Sequence, residues 1–370
     1  MSKAFKTGER AGVIAATLRG YDTSKITVVA FGSHSALDTL DGAKDEGFGT
    51  AVLCQKGRER TYLRHDRIAD NPIVLDKFGQ MIDSKIQRDL IAANSILVPN
   101  RSLTTYVPMR RMVNELRVPI FGNIHLLDSE GRKAQNQILS DAGITYPKRF
   151  TSYKDIDRLC MVKAKEPIKK IEREFFTASN PAEFKSELER RFGRVPDGIV
   201  AKWLRSGDMW IEEFVIGAHF NFNYFQSQMM NRLEFLGIDR RIQTNIDGLR
   251  RLPPGVNPDV KPSYIEIGHE SATIRESMLE KVYDIGEKLV AATKKVHKRG
   301  IIGPFSLQGA VMENLEIVIF DFSPRMPGAP VLYSSPYSKY MFDHNVTSGR
   351  RVAMEIRGAA EQNRLEEIVS

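Results

Sequence analysis

Short apolar runs alternate with amphipathic stretches along the first third of the chain. Residues 26–31 are continuously apolar, and residues 36–44 follow with Ala36, Leu37, Leu40 and Ala43 on one helical face, closing at Gly47. Further strands are predicted at 50–54, 73–75, 95–98 and 118–121, helices at 86–93 and 109–116, and a leading helix within 1–24. Short buried strands separated by amphipathic helices predict a parallel sheet with helices on both faces. Ligands of such sheets collect at the carboxyl ends of the strands. Four polar loops fall there: Gly32-Ser33-His34, Gln55-Lys56-Gly57-Arg58, Pro99-Asn100-Arg101-Ser102 and Gly122-Asn123. Their donor-rich composition predicts a pocket for a phosphorylated polar ligand, the first of them opening a helix whose free N–H groups favour an anion.

The pattern changes after residue 129. A helix over 129–143 with Pro147 beyond it reads as a hinge. Strands are predicted at 159–163 and 174–178 around a charged loop, then a polar helix at 181–192 and strands at 199–204 and 210–215. Residues 218–250 read as sheet leading into D-R-R-I-Q-T-N-I-D-G-L, 275–298 as an amphipathic helix, and 345–365 as a basic helical tail. Residues 305–312 and 315–322 form a hairpin turning at Glu313-Asn314. That turn would bring Gln308 close to Asp321, with Ser323 and Arg325 just beyond. Oxygen ligands beside a cation suit a hard metal ion and a phosphate, although an ordinary hairpin with a polar face has the same pattern.

Composition narrows the classes. With 370 residues there is material for more than one domain and a large core. The net charge of +8 is spread over short groups rather than one stripe with interleaved aromatics, which argues against nucleic acid as a partner. No apolar run reaches the roughly 20 residues of a membrane span, and Cys54 and Cys160 give neither a disulfide framework nor a metal spacing. A cytoplasmic setting without membrane contact is the expectation.

Taken together, G-S-H-S-A-L (32–37), Q-K-G-R (55–58), F-G-N (121–123), I-E-E-F-V-I-G (211–217), T-N-I-D-G-L (244–249), P-S-Y (262–264), I-R-E-S (274–277), I-G-P-F-S-L-Q (302–308), F-D-F-S-P-R (320–325) and S-P-Y-S (335–338) resemble the archaeal formate-dependent ligases of purine synthesis, members of the ATP-grasp superfamily. The resemblance covers nearly the whole chain. It implies an α/β protein with the ATP-grasp fold behind a parallel-sheet (pre-ATP-grasp) domain. The parts would be that domain at 1–126, a linking helix at 127–158, a small lid subdomain at 159–216 and a large subdomain at 217–370. It implies ATP- and formate-dependent formylation of 5-aminoimidazole-4-carboxamide ribonucleotide to the formamido product (FAICAR) through formyl phosphate, by a homo-oligomer. His34 and Ser102, with the neighbouring Ser33, Lys56, Arg58 and Asn123, and with Asn245, would bind the ribonucleotide. Glu212, Glu213 and Val215 would lie on the strand that reads adenine, and Lys163 would meet the ATP phosphates. Gln308 and Asp321 would hold Mg²⁺ or Mn²⁺, and Arg325 would touch phosphate.

Three positions depart from that pattern. The loop A-K-E-P-I-K-K-I-E-R after Lys163 has no glycine where the family has a glycine-rich lid, and Pro167 lacks an amide donor. Gln137 stands where a nucleotide-facing lysine is expected, and P-N-R-S replaces P-H-G-S. The departures leave three readings: a ligase whose lid grips phosphate with Lys169, Lys170 and Arg173, a paralogue with a degenerate ATP site that serves as a ribonucleotide-binding or assembly subunit, or an ATP-grasp ligase for a different nucleotide and acid.

Overall fold

The structure, a computed structural model, describes residues 9–33, 35–164, 174–256, 265–328, 332 and 334–370. The chain divides into two compact units, one of residues 1–142, 219–308 and 321–370, the other of 143–218 and 309–320.

The first unit opens with α1 (Glu9–Arg19), β1 (Thr27–Phe31), α2 (Ala36–Asp45), β2 (Gly49–Gln55), α3 (Arg60–Arg64), β3 (Asn71–Leu75), α4 (Ser84–Ala92), β4 (Ser95–Leu97), α5 (Arg101–Tyr106), α6 (Met109–Glu115), α7 (Ile124–Leu127) and α8 (Arg132–Asp141). The strands pair in the order β3-β2-β1-β4, all parallel, with Val28 opposite both Thr50 and Ile96. Side chains alternate across the sheet as a two-residue period requires. Val29, Phe31, Leu53 and Leu97 join one buried cluster with Met81, Leu103 and Met112, while Val28 and Ile96 join another with Ile14, Val352 and Ile356. The strand predicted at 118–121 contracts to single bridges, Leu97 with Ile120 and Phe121 with Val369. Pro119 has no N–H to continue a ladder, although its carbonyl still accepts from Leu97 N at 2.9 Å.

The second unit carries β5 (Arg149–Phe150), β6 (Cys160–Ala164), β7 (Glu174–Ala178), α9 (Pro181–Phe192), α10 (Asp197–Ser206) and β8 (Met209–Glu213). Its sheet runs β5-β8-β6-β7 with antiparallel neighbours. Residues 199–204, expected as a strand, are instead helical. Val200 and Leu204, four apart, are the buried pair, Ile199 is exposed, and Gly207 in the left-handed region ends the helix. The lid loop at 165–173 lies outside the described residues.

The chain continues through β9 (Ala218–Ser227), β10 (Arg232–Gln243), α11 (Ile246–Leu249), β11 (Glu266–Ala272), α12 (Leu279–Val296), β12 (Gly303–Val311), β13 (Ile317–Ser323), α13 (Pro336–Phe342), α14 (Ser348–Glu361) and α15 (Leu365–Ile368). Five strands form one sheet in the order β11-β10-β9-β12-β13. The buried Arg351 of α14 pairs with Glu234 of β10 at 2.6 Å and with Glu355 at 3.0 Å, so its charge is met from both sides.

Helix α14 lies hard against α2. A Cβ on Gly42 would stand 2.2 Å from Arg350 N, and one on Gly349 would stand 2.1 Å from Asp38 O. Asp38 accepts from Gly349 N at 3.0 Å, and burial pushes its carboxyl up to about 6. Glu46 at the end of α2 pairs with Arg350 at 2.9 Å and Arg357 at 3.0 Å. Gly349→Ala therefore forces the two helix backbones apart. It is expected to cost about 2 kcal/mol or more, read as a lowered Tm, whereas Gly198→Ala, in helix α10 with open space around it, should not lower Tm.

Candidate functional site

Strands β1 and β4 are neighbours, so the loops that follow them meet. Asn100 caps α5, its Oδ1 accepting from Ser102 N at 3.1 Å, while its Nδ2 donates to Phe31 O at 3.0 Å and ties the two loops together. The hydroxyls of Ser33 and Ser102 are in hydrogen-bond contact. His34 lies outside the described residues. Lys56 and Arg58, beyond β2, are exposed. Asn123 sits at the head of α7 with its amide occupied: Oδ1 accepts from His125 N at 3.2 Å, and Nδ2 donates to Gly300 O at 2.8 Å and lies 2.9 Å from His297 Nδ1. Asn245 precedes α11 with a φ of 42° and is half-buried.

The Ser33 and Ser102 loops connect to the segment after β13. Ser35 Oγ donates to Pro327 O, and Met326 N donates to Pro99 O at 3.2 Å. Arg325 is buried, and its Nε lies 2.6 Å from Glu130 Oε1. Glu130 also holds Arg101 of the P-N-R-S loop, at 2.7 Å. One carboxylate is thus shared by an arginine of each segment. Burial draws the Arg325 guanidinium below its ordinary range, and Glu130 opposes that shift. Gln308 on β12 and Asp321 on β13 are half-buried, and Asp321 Oδ1 accepts from Phe322 N at 3.2 Å.

Gln308 and Arg325 line a polar cavity of about 40 Å³ together with Asn221, Asn223, Asp239, Arg241, His269, Ser306 and Ser323. The β9–β11 part of this wall escaped the sequence reading. Asp239 has no exposure to water. Its carboxylate accepts from Asn221 Nδ2 at 2.6 Å, from Asn223 Nδ2 at 2.7 Å and from His269 Nδ1 at 2.5 Å. His269 Nε2 faces Glu266 Oε1 at 2.8 Å, and Arg241 reaches Glu266 Oε2 at 2.8 Å. Both ring nitrogens of His269 therefore point at carboxylate oxygens, and both must carry protons. Burial disfavours that cation, but the hydrogen bonds to Asp239 and Glu266 outweigh it and raise the imidazole to about 9. The available signal was the N-x-N spacing at 221–223, which puts both amides on one face of a strand.

The residues predicted for ATP lie in the second unit. Lys163 of β6 pairs with Glu212 of β8, both side chains largely buried. Glu213 Oε2 accepts from Lys148 N at 3.2 Å, and Oε1 lies 3.3 Å from Arg158. Val215 packs against Ala310 and Val318. Gln137, on α8 of the first unit, is exposed and donates to Asp141 at 2.8 Å. A larger cavity of about 550 Å³ beside Tyr153, Phe184 and Val200 contains none of the predicted nucleotide contacts. Among the described residues, no helix is long and apolar enough to cross a membrane, and no group of three or more His, Cys, Asp or Glu could hold a metal ion.

Residues 28–150 match a family described as "Protein of unknown function (DUF1246)", and residues 187–370 one described as "Domain of unknown function (DUF1297)". The 5-formaminoimidazole-4-carboxamide-1-(beta)-D-ribofuranosyl 5'-monophosphate synthetase of Methanothermobacter thermautotrophicus is 39% identical, over 95% of this chain and 97% of its own. The synthetase of the same description from Methanopyrus kandleri is 38% identical over the same shares. The crystal structure of an IMP biosynthesis protein PurP from Thermococcus kodakaraensis matches with a TM-score of 0.69 and 25% identity, covering 93% of this chain and 100% of that one. The N5-carboxyaminoimidazole synthetase of Staphylococcus aureus complexed with ADP matches with a TM-score of 0.58 and 12% identity, covering 90% and 77%. The fold is that of the ATP-grasp enzymes, with a parallel α/β domain at the amino-terminal end.

The His269 cluster carries a pH signature. The folded-state value of about 9 lies above that of an unfolded histidine, so the stabilisation is complete below about pH 6.5 and is lost as pH rises through 9. Tm should decline between pH 7 and 10, and His269→Gln should lower Tm at pH 7 and flatten that decline. Equal slopes in the two proteins would show that the cluster is not the titrating group.

Proposed function

The chain belongs to the family of 5-formaminoimidazole-4-carboxamide-1-(beta)-D-ribofuranosyl 5'-monophosphate synthetases, and we propose that it performs their reaction, the ATP- and formate-dependent formylation of 5-aminoimidazole-4-carboxamide ribonucleotide in purine (IMP) biosynthesis. The observation that carries this reading is identity of 39% spread over 95% of the chain, which leaves no part of the relative's architecture without a counterpart of substantial size. Its substrates are small molecules, and it works as a homo-oligomer in the cytoplasm. No finding favours the degenerate paralogue.

The residues fit the chemistry in three groups. Ser33 and Ser102, bound to each other at the ends of β1 and β4, form the floor of the ribonucleotide site. Lys56, Arg58, Asn245 and His34 contribute further contacts to the same ligand. Asn123 serves this site indirectly, since its amide is engaged with His125, Gly300 and His297. Lys163 meets the ATP phosphates and exchanges its present partner Glu212 for them, while the stretch from Glu212 to Val215, at and just past the end of β8, reads the adenine. Gln308 and Asp321 supply two oxygen ligands, which suits Mg²⁺, an ion that completes its shell with water and substrate phosphates. When bound, the ion neutralises charge on the phosphates during transfer. Arg325, held by Glu130, presents a cation for phosphate.

Formate oxygen takes the terminal phosphoryl group and ADP leaves. The amine nitrogen then attacks the formyl carbon, the carbon–oxygen bond to phosphate breaks with its electron pair on phosphate, and the nitrogen sheds one proton. Positioning and charge neutralisation do most of this work.

Purified protein supplied with ATP, Mg²⁺, formate and the ribonucleotide should release ADP and the formamido product together. Omission of any one substrate should abolish product. Asp321→Ala should lower the rate by about 100-fold or more, because a bound metal contributes several kcal/mol to the transition state. An unchanged rate would remove Asp321 from the metal site, and absence of ADP release in the complete mixture would overturn the ligase reading.

A further inference from the structure

Asn223 has no exposure to water and lines the polar cavity beside Gln308 and Arg325. Its two amide hydrogens are accounted for, one directed at Asp239 Oδ1 at 2.7 Å and the other at Asn221 O at 3.3 Å. Both of those partners are acceptors, so the amide cannot be turned round without setting oxygen against oxygen. Its Oδ1 is buried and, among the described residues, has no hydrogen-bond partner. A buried acceptor left unpaired is rare and costs about 1–3 kcal/mol, which marks a place where something else completes the bond.

The required partner is an N–H or O–H donor. A further cation is disfavoured, since Arg325, Arg241 and a doubly protonated His269 already line the same cavity. A neutral donor group of a few atoms fits both the charge and a volume of about 40 Å³. The surroundings narrow the choice further. Pro327, in the same wall, is bonded to Ser35 beside the Ser33–Ser102 pair, and Arg325 shares Glu130 with Arg101 next to Ser102. Resting on the function proposed above, the cavity thus lies where the heterocycle of the ribonucleotide approaches the metal and phosphate end.

We propose that Asn223 Oδ1 is the acceptor for the reactive 5-amino group of the ribonucleotide, and that Asn223 is a specificity-determining residue that orients this nucleophile. An amide oxygen accepts an N–H without removing the proton. It therefore holds an aromatic amine in one orientation and leaves its lone pair free for the formyl carbon. Asp239, fixed by Asn221 and His269, holds the Asn223 amide in place.

The test compares three ligands on wild type and Asn223→Leu by calorimetry: the natural ribonucleotide, its analogue lacking the 5-amino group, and 5-aminoimidazole ribonucleotide, which lacks the carboxamide. Asn223→Leu should weaken the natural ligand and the carboxamide-free ligand by about tenfold or more, and leave the amine-free ligand within about twofold. Equal weakening of all three, or of none, overturns the proposal. Sensitivity that disappears only with the carboxamide-free ligand assigns the acceptor to the carboxamide and overturns it too. If a thermal melt shows Asn223→Leu unfolded, Asn223→Ser is measured in its place with the same outcomes. Failure of wild type to bind the natural ribonucleotide would instead overturn the function proposed above, and this inference with it.

Discussion

A carboxylate cut off from water must find its hydrogen bonds within the protein, and in this chain Asp239 sets that condition for the site. Three donors meet it, Asn221 and Asn223 from β9 and His269 from β11, on either side of its own strand β10. The condition fixes strand register. Asp239 stands directly opposite Asn221, and a slip of one residue would carry both asparagines to the other face of the sheet. The cavity wall is in this sense a by-product of charge satisfaction. Once Asp239 is buried, the amide of Asn223 has one permitted orientation, and its oxygen is left over.

Arg325 shows the same economy in a different form. A buried guanidinium needs a counter-charge, and Glu130 supplies it while also holding Arg101. The loop after β4 and the segment after β13, distant in sequence, are therefore fixed by a single carboxylate. Removing Glu130 would leave an uncompensated buried cation, a change of the kind that destabilises strongly. Within the other unit, Lys163 and Glu212 form a simpler, largely buried ion pair.

The legible parts of the sequence were those with local signals. The apolar runs at 26–31 and 50–54 and the helix at 36–44 have one period each, and the four polar loops follow from parallel strands. The family likeness added roles that no period could supply. The segment 199–204 was misread because I-V-A-K-W-L is a short apolar run, compatible with either period until its caps are weighed. The Asp239 cluster was missed for another reason: its members lie 18 and 30 positions apart, and only the antiparallel register brings them together. Glu130 offered no signal at all, since an S-E-G turn is ordinary until the arginines that flank it are seen in space.

The glycine contact between α2 and α14 bears on how the protein can be divided. Helix α2 begins just after Ser33, so the turn that presents this serine is braced by a helix from the far end of the chain. The amino-terminal sheet is consequently not a portable module. Expressed alone, it would expose the groove at Gly42 and strand the carboxylates of Asp38 and Glu46 without their donors. A swap of this sheet between relatives would have to carry α14 with it.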